Sequence, residues 1–349
     1  MGACCLRRRL CLGGTPSSAA SKFQLPARKI SGTPPPPFVR RFTAREVEAA
    51  TRGFTAVLDA DAAGGARGTA YRARFAGGLV ATVRRAGAGE DGGKAAFYLE
   101  LQLLARLNHR HLVRLRGFAD GHHARFLVFD HMENRSLKEC LHDPLRTPLD
   151  WRTRLQVAID IAAALEYLYY FCDPPVFHVS VNSGNVLMDS NFVAKVTSSH
   201  SRSTMTLHIL CNTMSILNLN NFQLSDVSVI SHDMKLATTE SFQEQVEQRR
   251  AGLVFEYGVL VLELVTGQSP GSDGELVRWV QEPGFAGTMN RMVDADLGGV
   301  YDARELRDLV IVARLCTRRS DDDDDVISIP QIVRYLQGKV ERLGGEARC

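Results

Sequence analysis

His178-Val179-Ser180-Val181-Asn182-Ser183-Gly184-Asn185-Val186-Leu187-Met188-Asp189 is the stretch on which the reading of this chain turns. It begins as a polar loop and lies between elements of different kinds. Upstream, Trp151 to Tyr170 places apolar residues at 155, 158, 159, 162, 165 and 168, the stripe of a long helix. Downstream, Phe192 to Val196 reads as a short strand. Further on, Leu253 to Val265 and Glu305 to Cys316 read as helices. On the N-terminal side, Arg125 to Phe129 reads as a strand, and Lys94 to Leu107 has a helical stripe at 97, 101, 104 and 107. Thr69 to Phe75 and Leu79 to Arg85 read as two strands joined at Ala76-Gly77-Gly78, a tight hairpin. Thr43-Ala44-Arg45-Glu46 has the form of an N-cap with its glutamate three residues on, opening a short helix to about Thr51. A strand-rich first part followed by a helix-rich second part predicts a two-lobed α+β layout rather than a regular βαβ alternation.

Composition narrows the classes. The 349 residues are 45% hydrophobic and 23% charged, which excludes wholesale disorder and a collagen-like fibre. A net charge of +3 gives no reason to expect nucleic acid as a partner. The eight cysteines form no CxxC pair, which argues against a disulfide framework or a zinc cage and sets a reducing, cytosolic compartment as the default. No stretch reads as a membrane span; the apolar run Leu253 to Val265 is short and contains Glu256 and Glu263.

Two segments differ from the rest. Residues 1–38 carry no acid and end in the run Pro34 to Pro37, the composition of a disordered basic tail with an extended spacer. Its start, Met1-Gly2-Ala3-Cys4-Cys5 with Arg7-Arg8-Arg9, allows membrane attachment through an acylated Gly2 and Cys4 or Cys5, although Leu6 stands where the acylation motif wants Ser or Thr. A transit peptide and a plain solvated tail are the other readings. Between Gly184 and Gly252 there is no glycine and no proline, and residues 201–245 are rich in Ser, Asn, Thr, Met and Leu. That shift marks an insertion or sequence of different origin, expected to be mostly irregular.

Several blocks together carry a resemblance. They are Leu103-Leu104-Ala105-Arg106-Leu107-Asn108-His109-Arg110-His111-Leu112-Val113, Asn134-Arg135-Ser136-Leu137, Leu149-Asp150-Trp151-Arg152-Thr153-Arg154, Gly184-Asn185-Val186-Leu187-Met188-Asp189, and Tyr257-Gly258-Val259-Leu260 with Glu263-Leu264-Val265-Thr266-Gly267. From Arg41 to about Arg342, interrupted near 198–250, the chain resembles the plant receptor-like Ser/Thr protein kinases. The resemblance implies a bilobal protein-kinase-like fold. It divides the chain into the tail 1–38, a small β-rich N-lobe and hinge at 39–132, a larger helical C-lobe at 133–342 with a divergent segment 198–250, and a tail 343–349.

The resemblance also assigns roles, and the residues depart from many of them. Phosphoryl transfer needs a glycine loop over the phosphates, a lysine on them, a glutamate holding the lysine, magnesium ligands and an aspartate near the attacking hydroxyl. The glycine loop falls on Ala63 to Gly68; Gly65 and Gly68 remain and Ala63 replaces the first glycine. Over the adenine, Ala70 takes the usual valine place and Thr82 the usual alanine place. The lysine position holds Arg84, longer, planar and forked, for which a structural ion pair with Glu100 is expected rather than phosphate placement. Phe129, Asp130 and Met132 form the strand and hinge that would hold adenine, through backbone groups of Asp130 and Met132. Ser180 stands at the base position, Asn182 at the loop-lysine position, and Asn185 survives as a magnesium donor. Ser198 replaces the main magnesium carboxylate, and hard cations prefer carboxylate oxygens. His178 is expected to be a packed structural residue, and Val179 removes the arginine that would receive an activation-loop phosphate. The run Asp321 to Asp325 reads as a solvated loop.

Magnitudes order the readings. A positioned base contributes about 10²–10⁴-fold, and a neutral hydroxyl cannot replace it. Kinases turn over at roughly 1–100 s⁻¹, so loss of the base together with the metal carboxylate and lysine geometry leaves little useful transfer. The expected function is therefore that of a pseudokinase: signalling through a protein partner, such as an active kinase, with weak ATP binding and poorly held Mg²⁺. It is placed in the cytoplasm, at the inner face of the plasma membrane if the tail is acylated. A divergent active Ser/Thr kinase is the alternative. A decayed kinase gene product, with no nucleotide pocket, is the third.

Overall fold

The computed structural model describes residues 39–59, 69–86, 92–121, 124–172, 175–176, 180–197, 239–271, 274–318 and 327–338. The expectations placed on residues 1–38, 63–68, 178–179, 198–238, 321–325 and 343–349 lie outside the described residues.

The first lobe is built on a six-stranded sheet. Its strands are β1 (Arg40–Phe42), β2 (Val57–Asp59), β3 (Ala70–Arg74), β4 (Val80–Arg85), β5 (Leu115–Asp120) and β6 (Arg125–Asp130), in the order β1-β5-β6-β4-β3-β2. β1 runs parallel to β5, and the other pairs are antiparallel. The β3–β4 connection is the expected tight hairpin. Phe75 N–H donates to the Leu79 carbonyl at 2.8 Å, and Gly77 and Gly78 take φ of 89° and 84°, where a Cβ would be strained. Helix α1 (Ala44–Ala50) starts at the capping box of Thr43 and Glu46 read from the sequence.

Alternation sorts the sheet's side chains onto two faces. Phe42, Ala73, Ala81, Val83, Phe126 and Val128 pack with Val47 of α1. Leu127 and Phe129 lie on the other face, in the core that includes Phe97, Leu101 and Leu104 of α2 (Gly92–Arg106). Strands β1, β2 and β5 have no counterpart in the sequence reading. In β5 the pattern is broken at Gly117, beside a register shift; a Cβ there would run into the Arg40 carbonyl and the Phe42 ring. Glycine is what lets β1 lie against β5.

The second lobe is helical. It contains α3 (Leu137–His142), α4 (Trp151–Glu166), the short hairpin β7 (Val186–Met188) and β8 (Ala194–Val196), α5 (Thr239–Thr266), α6 (Glu275–Gln281), α7 (Phe285–Met292), α8 (Ala303–Cys316) and α9 (Ile329–Leu336). Three sequence readings are corrected here. The helix expected to Tyr170 is α-helical only to Glu166 and closes in a π-turn, Tyr167–Phe171, where Cys172 N–H donates to the Tyr167 carbonyl at 3.1 Å. The helix expected from Leu253 already begins at Thr239, so the last residues of the 201–245 block are helical. Phe192 is not in a strand; it holds a left-handed turn at φ 58°.

Burial also revises the stripe of α4. Leu155 and Ile159 are only partly buried, whereas Arg154, Val157, Asp160 and Ile161 are buried among the apolar positions. Wrapped by neighbours on most sides, this helix needs internal partners for its polar residues. Arg154 donates to the carbonyls of Leu149 at 2.9 Å and Leu264 at 3.0 Å and pairs with Asp294 at 2.7 Å. Asp160 accepts from Gln156 at 2.7 Å and from the Ala194 N–H at 3.3 Å.

Strand β8 ties the two lobes together. Val196 N–H donates to the His111 carbonyl at 2.9 Å, and Val113 N–H donates to the Val196 carbonyl at 3.1 Å. Imidazole Nδ1 of His111 lies 3.4 Å from the Asp160 carboxylate. The α2–β5 connection of the first lobe is thus fixed to the floor of the second.

Candidate functional site

The roof of the site is the sheet face carrying Ala70, Thr82, Arg84 and Phe129. Arg84 is registered opposite Ala70 on one side and Leu127 on the other; Thr82 lies opposite Arg72 and Phe129. The Arg84 guanidinium forms the expected ion pair with Glu100 of α2, and both side chains are largely buried. Its Cζ also lies 5.4 Å from the centre of the Phe129 ring. A planar fork suits such a two-sided contact; the point charge of a lysine would not.

Thr82 is engaged as well. Its Oγ1 lies 3.1 Å from His131 Nδ1, so the roof carries a polar contact where an alanine would leave apolar surface. Burial, with help from Arg72, holds the His131 imidazole below its ordinary pKa. In the hinge, Asp130 N–H donates to the Arg114 carbonyl at 3.0 Å and its carboxylate pairs with Arg116. The Met132 carbonyl accepts from Arg135 N–H at 3.3 Å. Among the described residues the Met132 N–H has no partner, although the residue is buried. An unpaired N–H on a buried hinge residue is a donor available to a ligand.

The floor is the loop 180–185. Asn182 Nδ2 donates to Ser180 Oγ at 3.1 Å, Asn185 Nδ2 to the Ser180 carbonyl at 2.8 Å, and Asn185 N–H to Asn182 Oδ1 at 3.1 Å. The structure thus brings Ser180, Asn182 and Asn185 together in one network and turns it upon itself. Thr197 closes the far side through its N–H and hydroxyl, both 2.9 Å from the Asn185 carbonyl.

Two residues that the sequence reading did not assign to the site support this loop from below. Glu256 of α5 accepts the Val181 N–H at 2.5 Å, and its carboxylate lies beside the Ser180 hydroxyl. Glu263 of the same helix accepts from Ser183 Oγ at 2.8 Å, and His142 Nε2 lies 2.8 Å from the same oxygen. Burial pushes the Glu256 carboxyl above its ordinary range, opposed by the Val181 N–H, the Ser180 hydroxyl and Arg249. A signal for both was present: glutamates inside an otherwise apolar helical run need buried partners.

Among the described residues, the donors of this loop do not make a magnesium site. Asn185 Oδ1 is buried and without a hydrogen-bond partner, but it is one neutral oxygen. Ser180 and Asn182 are spent on each other, and no cluster of three His, Cys, Asp or Glu suited to a metal occurs among the described residues. Mg²⁺ demands octahedral oxygen ligation anchored by carboxylates. Gly65, Gly68 and Ser198 lie outside the described residues.

Comparison with known proteins agrees with the fold. The model of the protein tyrosine and serine/threonine kinase family matches residues 65–283. The chain belongs to that family, in a two-lobed α+β protein kinase fold. A probable receptor-like protein kinase of Arabidopsis thaliana is 34% identical over 328 residues, 92% of this chain and 46% of the relative. The proline-rich receptor-like protein kinase PERK4 of the same organism is 30% identical over 342 residues, 93% of this chain and 51% of the relative. The chain spans about half the length of these relatives. Among solved structures, an apo pseudokinase superposes with a TM-score of 0.66 at 20% identity, covering 92% of this chain and all of that one. The pseudokinase domain of BIR2, an immune regulator of the RLK/Pelle family, superposes with a TM-score of 0.63 at 24% identity, covering 85% of this chain and 84% of that one. Among the described residues no helix is long and apolar enough to cross a membrane.

Proposed function

We propose that this kinase-like domain is a pseudokinase that signals by binding a protein partner, retains at most weak nucleotide binding at the hinge, and performs no useful phosphoryl transfer. The observation that carries this reading is the loop 180–185: a neutral hydroxyl stands at the base position, bonded within its own loop and beside the Glu256 carboxylate. The Arg84 guanidinium, committed to Glu100 and Phe129, is poorly placed to serve a phosphate. Nucleotide binding rests on weaker support, the Met132 N–H at the hinge, which has no partner among the described residues. Backbone groups make the adenine bonds there, so side-chain divergence costs less than it does at Ser180. The pseudokinase neighbours support the reading only as relatives in fold.

The test is a melting curve with and without ATP. A ligand at about 100 times its Kd stabilises by about 2.7 kcal/mol. We expect a small upward shift that Met132→Pro removes, and no magnesium-dependent autophosphorylation. Phosphate incorporation by cooperatively folded protein, lost on Arg84→Ala, would establish the divergent active kinase instead. No shift under any nucleotide would leave the partner-binding scaffold alone.

A further inference from the structure

We infer that Glu256 is the positioning residue of the 180–185 loop and that its carboxylate has closed position 180 to a second acid. Glu256 and Glu263 stand seven residues apart on α5, two turns along one face of the helix. Both side chains reach the same loop: Glu256 takes the Val181 N–H and sets its carboxylate beside the Ser180 hydroxyl, and Glu263 takes the Ser183 hydroxyl. The loop answers with donors at each of these points. The other charged or titratable groups acting on Glu256 are Arg249 on its own helix and the Tyr169 phenol from the π-turn.

A serine at 180 sets a neutral hydroxyl beside this carboxylate. An aspartate there would set a second carboxylate, from an exposed loop position, against the partly buried Glu256, and like charges raise each other's pKa and repel. Ser180 is therefore not merely a missing base. The loop has been rebuilt around an acid supplied from beneath, and restoring an aspartate by a single substitution is incompatible with it. The inference concerns the loop itself and stands whether or not nucleotide binds.

The experiment compares Ser180→Asp, Ser180→Asn, Glu256→Gln and the double variant Ser180→Asp/Glu256→Gln in the full chain at pH 7, without nucleotide. Ser180→Asp should lower Tm by roughly 5 °C more than the neutral isostere Ser180→Asn. Adding Glu256→Gln should restore most of that difference, because the neutral amide offers a donor to the new carboxylate. In Glu256→Gln alone, amide exchange at Val181 should quicken by about tenfold or more as a charge-assisted acceptor is lost. Equal stability of Ser180→Asp and Ser180→Asn would overturn the proposal, as would a double variant no more stable than Ser180→Asp. Should Glu256→Gln fail to fold, the Asp-versus-Asn difference at 180 decides by itself.

Discussion

Arg154 shows what a single side chain does in this fold. Its guanidinium is buried, with 1% of the side chain exposed, and it satisfies two carbonyls and the Asp294 carboxylate. Burying a charge is costly, and these three acceptors offset the cost together. Arg154→Met removes them all and leaves Asp294 largely buried without its cation. We expect a loss of about 3–5 kcal/mol, read as a lower urea midpoint. Arg154→Lys should recover only part, because an ammonium on a flexible stem cannot reach three acceptors held in a fork. The identity of such residues was legible in the sequence; their partners were not. Arg84 with Glu100 was readable because the resemblance supplied both halves. Glu256 beneath the 180–185 loop was not, because it lies 75 positions from Val181 and only the packing of α5 brings the two together.

At the scale of elements, local chemistry accounts for the starts and stops. The box of Thr43 and Glu46 satisfies N-terminal donors of α1, and Thr43→Ala should cost about 1 kcal/mol by chemical denaturation. Helix contacts obey a different rule. Gly258 sits inside α5, where alanine would ordinarily gain about 1 kcal/mol in propensity. However, a Cβ at 258 would lie 2.6 Å from Cys316 Cβ and 2.8 Å from Thr317 Cγ2, at the crossing of α5 and α8. Overpacking of that kind costs about 1–3 kcal/mol, so Gly258→Ala should be net destabilising by urea titration. The Trp151–Tyr170 segment was legible as a helix, with Ala158, Ala162, Leu165 and Leu168 of its stripe buried, but the burial of Arg154 and Asp160 and the π-turn were not. Periodicity reports amphipathic surfaces, and α4 is surrounded.

At the scale of the molecule, the junction of the two lobes makes stability depend on pH. Burial, chiefly, holds His109 and His111 down to about 4 from the ordinary 6.5. The unfolded chain takes up these protons near pH 6.5 and the folded chain does not until about pH 4. Stability from these groups is therefore present above pH 6.5 and lost as the pH falls toward 4. Asp160, whose carboxyl burial pushes up, acts in the opposite sense, giving stability in acid that is lost as the pH rises through its raised value. Two histidines outweigh one aspartate. Melting temperatures at pH 7.5, 6 and 5 should fall in that order, and His109→Gln should flatten the slope.

By itself the sequence determined the class of fold, the hairpin, the first capping box and the substitutions at Arg84 and Ser180, because these depend on residue type at short spacing. Only the tertiary structure decided that Arg84 closes on Phe129 as well as Glu100, that Thr82 meets His131, and that Glu256 and Glu263 carry the loop. Those contacts join residues 16 to 80 positions apart, and no local pattern specifies them. Which buried polar group finds which partner is settled by how helices and sheet pack, since burial is what makes an unpaired group costly.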